Sequence, residues 1–264
     1  MSSLILAIEP QHLTCRTYSD SGELAPVRVY ARSDAQTLAQ TLAEVRDGLS
    51  AAFQTVVVQI ADTRFLLLPN AFFRDDLKER LLQTVADTYI GEQTAADELP
   101  LMDAKNIYPL SEETMQSIIA VFPVAQFRHI GTALLYGFGK ISAQKQGKKV
   151  IVFIKNQTLY VAYFNANTPT PTLFNSFECG ATADFLYYIL AIYQQFELSQ
   201  QSVPLYATGE LTVQSDLHQL LLRYIAHVRW WSEEAENTVP NHHFDLYQSP
   251  HAHHIYSVVE NDPN

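Results

Sequence analysis

The stretch KVIVFIKNQTLYVAYF, which occupies residues 149–164, predicts two apolar strands joined by a short polar turn. Its apolar runs have the length of strands and are rich in β-branched and aromatic residues. A third strand is predicted over Leu173–Phe177, and a helix follows it. The apolar positions of this helix have the spacing of one buried face, and they are Phe185, Ile189, Ile192 and Phe196. Val203 then opens a fourth strand.

The first part of the chain repeats this order of elements. Residues 3–18, SLILAIEPQHLTCRTY, predict another hairpin. The helix that follows it has the same spacing of apolar positions, at Leu38, Leu42, Val45 and Leu49. The two hairpins are offset by 146 residues, and the two helical stripes are offset by 147. We therefore predict two βββαβ units, over residues 4–61 and 149–207.

The pattern divides the chain into two lobes, residues 1–146 and 147–264. Residues 62–110 have no counterpart in the second lobe, and they contain both strand-like and helix-like sequence. Because such a stretch is too long for a structureless loop inside a compact domain, we expect a small extra subdomain on the first lobe. The last residues of the second lobe predict an irregular tail that is rich in histidine.

Three meandering strands, a helix, and then strand–helix–strand resemble the core of a ribonuclease-H-like fold. Two copies in tandem resemble the superfamily of actin, hexokinase and the sugar kinases. The chain also resembles a bacterial family of unknown function with an actin-like ATPase fold, through the motifs LLLPNAFF at 66–73, NIYPL at 106–110, NSF at 175–177, DFLYY at 184–188 and TGE at 208–210. The resemblance implies an α/β protein built of two tandem ribonuclease-H-like lobes, with mixed sheets flanked by helices.

The resemblance also indicates where a nucleotide would bind. Actin-like ATPases hold phosphates with the first β-turn of each lobe, where a glycine lets backbone N–H groups approach. The corresponding turns here, Glu9-Pro10-Gln11 and Lys155-Asn156-Gln157, contain no glycine. Pro10 has no N–H to donate, and Glu9 would bring negative charge to a phosphate. Where the family shows a glycine pair for adenosine, this chain has only Gly209.

We therefore expect a degenerate nucleotide site in a non-catalytic binding or scaffold protein, with no cofactor and no catalytic residues. The alternative is an atypical ATPase or phosphotransferase that binds Mg–ATP between the lobes. In that case Glu9 would lie on the metal side and Lys155 would contact a phosphate. The full set of cofactor-binding candidates under this alternative is Glu9, Gln11, Lys155, Asn156, Gln157 and Gly209.

The composition argues against several other classes of function. Seventeen Lys and Arg against twenty-eight Asp and Glu give a net charge of −11, which disfavours nucleic acids and anionic membranes as partners. The sequence has neither a signal-peptide pattern nor an uncharged run of the ~18 residues that a membrane helix needs. The two cysteines share no motif spacing. These features predict a cytoplasmic protein.

Two further patterns remain as hypotheses. A cluster of histidines in the tail suggests either a metal site or an exposed polar segment, and we expect no metal; its members are His242, His243, His251, His253 and His254. Tyr187, Tyr188 and Tyr193 are expected to lie partly outside the core, and one of Trp230 and Trp231 should face outward. Exposed Tyr and Trp are common anchors of interfaces, so we expect a protein partner. The oligomeric state stays open.

Overall fold

The computed structural model describes residues 2–9, 12–19, 25–32, 36–49, 53–211 and 214–230. The histidine cluster of the tail and Trp231 lie outside these residues. The chain forms two compact units that divide at Ala133 and Leu134. This division falls inside a helix, whereas the sequence suggested a boundary after Gln146. In the first turn of that helix, the side chain of Thr132 bonds to Asp97 of the first unit.

The first unit contains a five-stranded sheet and a separate three-stranded sheet. Its strands are β1 (Ser2–Ile8), β2 (His12–Ser19), β3 (Arg28–Ala31), β4 (Phe53–Ile60), β5 (Leu66–Pro69), β6 (Glu92–Leu99), β7 (Ala104–Ser111) and β8 (Ala125–His129). Its helices are α1 (Leu38–Gly48), α2 (Lys78–Leu82) and α3 (Glu112–Val121). The larger sheet has the order β3-β2-β1-β4-β8, in which β4 lies parallel to β1 and β8. The strands before β4 form an antiparallel meander.

The second unit has a five-stranded sheet of the same design. After α4 (Ile130–Gln144), which spans the division, come β9 (Lys149–Lys155), β10 (Thr158–Phe164), β11 (Leu173–Glu178), α5 (Thr182–Gln195), β12 (Leu205–Gly209), α6 (Asp216–Leu222) and β13 (Val228–Trp230). The strand order is β11-β10-β9-β12-β13. Strands β9 to β11 form the antiparallel meander, and β12 lies parallel to β9 and β13. The two sheets therefore have the same strand order and the same strand directions.

The helical stripes predicted from the sequence pack against these sheets. In α1, Leu42 and Val45 are fully buried, while Leu38 and Leu49 lie at the edge of the same cluster. In α5, the stripe from Phe185 to Phe196 packs in the same way against β9, β10 and β12. Burial of apolar area on each sheet therefore fixes the face that each helix presents to its unit.

The stretch predicted as an insertion forms the three-stranded sheet, with antiparallel order β5-β7-β6. Two of its segments differ from their sequence pattern. The amphipathic stretch from Phe73 to Val85, which has helix-like sequence, is α-helical only over α2. The polar stretch 91–100 contains β6, which pairs with β7 over eight positions. Among the described residues, no helix is long and apolar enough to cross a membrane.

The tyrosines of α5 divide between core and surface. The sequence prediction for Tyr193 is wrong, because its side chain is buried and its hydroxyl donates to the carbonyl oxygen of Val203 at 3.0 Å. Tyr188 stacks on Phe177 with a ring separation of 4.1 Å. Only Tyr187 of the three is strongly exposed.

Candidate functional site

The predicted phosphate turn of the second unit is the two-residue hairpin between β9 and β10. Asn156 and Gln157 have φ angles of 46° and 62°, as a type I′ turn requires. Glycine suits such positions best, because a side chain in the left-handed region is strained by about 1 kcal/mol or more. The carbonyl oxygen of Gln157 accepts from the backbone N–H of Cys179 at 2.7 Å, which fixes the turn. The turn is thus built without the glycine that close approach of a phosphate favours.

Gly209 ends β12 beside this hairpin. Its φ is 95°, and a Cβ placed on it would lie 2.2 Å from the carbonyl oxygen of Ile154 in β9. The next residue, Glu210, donates its N–H to that same oxygen at 2.7 Å. Glycine is therefore required here by the pairing of two strands, whether or not an adenosine binds.

The side chain of Glu210 returns to the hairpin. Its carboxylate accepts the backbone N–H of Asn156 at 3.0 Å. The second unit therefore brings together four of the cofactor-binding candidates, Lys155, Asn156, Gln157 and Gly209, and adds a carboxylate at the turn. Their role in binding stays a prediction. Lys155 is itself buried at the end of β9. The Asn156 N–H, a backbone donor that could bind a phosphate, therefore already bonds to the Glu210 carboxylate of the same unit.

The predicted turn of the first unit is described only at Glu9. Its side chain is buried, and its carbonyl oxygen accepts from Arg32 Nη1 at 3.2 Å. Gln11 lies outside the described residues, so it remains a prediction from the sequence.

A buried polar network, which the sequence did not reveal, joins the three-stranded sheet to the junction of β8 and α4. Its centre is the carboxylate of Asp97 on β6, which is 2% exposed. Asp97 Oδ2 accepts the backbone N–H of His129 at 2.7 Å and the hydroxyl of Thr132 at 2.8 Å. Asp97 Oδ1 accepts the hydroxyl of Tyr108 at 3.1 Å, and Arg128 Nη1 lies 3.9 Å from it. Three donors and a cation thus stabilise a carboxylate inside the unit.

The imidazole of His129 is held in one tautomer by its neighbours. Its Nδ1 accepts the backbone N–H of Gly131 at 3.1 Å, so the proton lies on Nε2. Nε2 donates to the carbonyl oxygen of Asp62 at 2.8 Å. The amide of Asn106 donates to Nδ1 at 3.0 Å and to the hydroxyl of Thr132 at 3.0 Å. Both ring nitrogens are therefore bonded within the unit.

This network organises the first unit and does not present a reactive group to a substrate. His129 and Asn106 have no exposed surface, and Asp97, Tyr108 and Thr132 are exposed by 5% or less. Burial raises the pKa of Asp97 to about 6 and lowers the pKa of His129 to about 4. No group of His, Cys, Asp and Glu residues in the described part of the chain has the arrangement of a metal site. The network links β6, β7 and the start of α4.

The two shifted groups should oppose each other as the pH falls from about 6.5 to about 4. Asp97 takes up a proton in the folded chain near pH 6 but in the unfolded chain only near pH 4, so acid favours the folded state through Asp97. His129 takes up a proton near pH 6.5 when unfolded but near pH 4 when folded, so acid favours the unfolded state through His129. Each contribution is about 3 kcal/mol and the two have opposite signs.

Single substitutions should therefore expose each contribution. We expect the free energy of unfolding of Asp97→Asn to fall more on acidification than that of the wild type, because the contribution of Asp97 that opposes that of His129 is then absent. The same quantity for His129→Gln should fall less, or rise. Urea unfolding at about pH 7 and about pH 4.5 measures both. Equal pH dependence in all three proteins would contradict the opposing shifts.

Comparison with known proteins agrees with this architecture. The model of a family described as "Protein of unknown function (DUF3822)" matches residues 6–228. No curated protein matches the sequence.

Solved structures resemble the chain over most of its length. A protein with actin-like ATPase fold and unknown function from Bacteroides thetaiotaomicron VPI-5482 has a TM-score of 0.78 at 21% identity, covering 87% of this chain and 90% of that one. A chain of the PilM–PilN type IV pilus biogenesis complex has a TM-score of 0.57 at 11% identity, with 87% and 88% covered. The inorganic polyphosphate/ATP-glucomannokinase from Arthrobacter sp. strain KM has a TM-score of 0.53 at 10% identity, with 97% and 99% covered. At these identities the likeness establishes the fold, and the predicted actin-like ATPase fold of two ribonuclease-H-like lobes is confirmed.

Proposed function

The chain belongs to the DUF3822 family of proteins of unknown function, and on that premise we propose that it is a non-catalytic binding or scaffold protein with a degenerate nucleotide site. The observation that supports this most directly is the hydrogen bond from the Asn156 N–H to the carboxylate of Glu210. A phosphate at that donor would meet a like charge at close range, which costs free energy even near the protein surface.

The chemistry of phosphoryl transfer supports the same proposal. It depends on backbone donors, a metal ion and a positioned water around the γ-phosphate. The second unit supplies a hairpin without glycine, and the first supplies the sequence Glu9-Pro10-Gln11, in which Pro10 has no N–H. Loss of each donor or of the metal anchor costs about 10²–10³-fold in rate, so together these losses remove useful turnover.

We expect no ATP hydrolysis by the purified protein. Phosphate release in the presence of Mg–ATP should equal that of the variants Glu9→Ala and Lys155→Ala, which remove the carboxylate and the cation best placed to support turnover. Thermal unfolding should show no shift with Mg–ATP. A ligand at about a hundredfold excess over its Kd would stabilise the folded state by about 2.7 kcal/mol, which is several degrees in Tm for a chain of this size.

Glu210→Gln is the matched variant for the carboxylate, since it retains an oxygen that accepts the Asn156 N–H but removes the charge. If this variant gains a thermal shift with Mg–ATP that the wild type lacks, Glu210 is the group that prevents binding. Steady turnover by the wild type that Lys155→Ala abolishes would overturn the proposal and make the protein an enzyme.

A further inference from the structure

The loop that precedes β6 exposes large apolar side chains. Ile90 has a relative exposure of 106% and Tyr89 of 63%, and Val85 shortly before them has 56%. Single exposed apolar residues are common on protein surfaces, whereas several in one segment are typical of interaction sites. Within the described part of the chain Ile90 has no packing role, because its whole side chain is exposed.

Arg64 holds this loop in one conformation. Its guanidinium bonds to the carboxylates of Asp62 and Glu92, each at 2.7 Å. It also donates to the carbonyl oxygen of Asp87 at 3.0 Å and lies 4.8 Å from the ring centre of Tyr89. The Tyr89 N–H donates to Glu92 at 2.9 Å. A loop that is already ordered loses little conformational entropy when a partner binds.

The surroundings of the loop are acidic. The N–H of Glu112 donates to the carbonyl oxygen of Gly91 at 2.9 Å, which brings the first turn of α3 beside Ile90. Asp87, Glu112 and Glu113 are exposed, and none of them forms an ion pair with the rest of the described chain.

The charge balance of this surface determines which partner fits it. Residues 62–64, 80–92 and 112–113 contain two cations, Arg64 and Arg80, and five carboxylates. Arg64 is already engaged by two of the carboxylates. Such a surface repels nucleic-acid phosphates and anionic lipids and attracts Lys and Arg side chains.

We propose that the loop Asp87–Glu92 is a docking site for a protein segment that combines apolar side chains with Lys or Arg. The apolar part of the segment packs on Ile90 and Tyr89, and its cations pair with the carboxylates of Asp87, Glu112 and Glu113. This inference rests on the proposed binding function and assigns it a surface and a partner chemistry.

A random peptide library displayed on phage, selected against the full chain at low salt, tests the proposal. We expect the recovered peptides to combine Lys or Arg with large apolar residues. Their affinity, measured by fluorescence polarisation, should fall by about 10-fold or more in Ile90→Ser, as for a central anchor of an interface. It should also fall in Glu112→Gln/Glu113→Gln and with added salt. Val124→Ser, at an apolar residue of the same unit that is 49% exposed, is the matched control and should leave affinity unchanged.

The outcomes separate this surface from the general binding function. Peptides that bind equally well to Ile90→Ser would overturn the docking site and leave a binding function elsewhere. A library that yields no binder would contradict both. A wild-type dimer that Ile90→Ser converts to a monomer in sedimentation would show that a second copy, and not a basic segment, occupies the surface. Ile90→Ser should fold normally, since the side chain it removes is fully exposed.

Discussion

Replacing Asp97 by alanine should lower the free energy of unfolding by about 3–5 kcal/mol. The substitution removes the carboxylate that accepts from three buried donors: the N–H of His129 and the hydroxyls of Thr132 and Tyr108. Each unsatisfied buried donor costs about 1–3 kcal/mol, and Arg128 loses the carboxylate beside it. Because a domain is stable by only about 5–15 kcal/mol, this loss should be visible in urea unfolding.

Glu98→Ala provides the matched control for this prediction. Glu98 is the next residue on β6, but its side chain is exposed and pairs with Lys105 at the surface. Removal of an exposed ion pair costs about 1 kcal/mol or less. If Asp97→Ala does not fold, Asp97→Asn provides the second measurement, since its amide oxygen retains part of the acceptor capacity. Its loss of unfolding free energy should lie between those of Asp97→Ala and Glu98→Ala. Equal stability of Asp97→Ala and Glu98→Ala would contradict the central role of the network.

The periodicity of the sequence predicted the two large sheets because their apolar runs are continuous. It did not predict β6, whose sequence EQTAADEL offers neither β-branched apolar residues nor a regular alternation. This segment is a strand because β7 pairs with it along its whole length, from Glu92 opposite Ser111 to Leu99 opposite Ala104. Local propensity is weak at such a position, and pairing in the folded chain overrides it.

Only those residues of the candidate sites that lie next to one another in a single turn were predicted from the sequence. Asn156 and Gln157 were found because a hairpin keeps its turn residues adjacent in sequence. Glu210 was not, because its carboxylate reaches the Asn156 N–H across 54 positions. The contact of Asp97 with His129 spans 32 positions. The one local signal was a histidine and a threonine at the carboxyl end of β8, which is one of the parallel strands of a mixed sheet. Polar groups at the carboxyl ends of parallel strands are often functional.

Replacing Gly209 by alanine should destabilise the second unit by about 3 kcal/mol or more. The φ of 95° is strained for any side chain, and the new Cβ would meet three backbone atoms of Ile154 at 2.2, 2.8 and 3.0 Å. Since these are atoms of a central strand, the only relief is separation of β12 from β9. That separation would break the bond from the Glu210 N–H to Ile154 and remove the Glu210 carboxylate from the hairpin.

Gly147→Ala separates the backbone strain from the steric clash, because Gly147 has a similar φ of 78° but no atom within 4 Å of a Cβ. The free energy of unfolding of this variant should fall only by the backbone strain, about 1–2 kcal/mol. The difference in free energy of unfolding between the two variants, measured with urea, therefore gives the cost of the clash with β9. This comparison also decides what Gly209 is for. A glycine retained only to admit adenosine would tolerate alanine as well as Gly147 does, with the loss confined to nucleotide binding. If Gly209→Ala loses much more unfolding free energy than Gly147→Ala in the absence of nucleotide, strand pairing alone requires the glycine. The presence of Gly209 then carries no information about an ATP site.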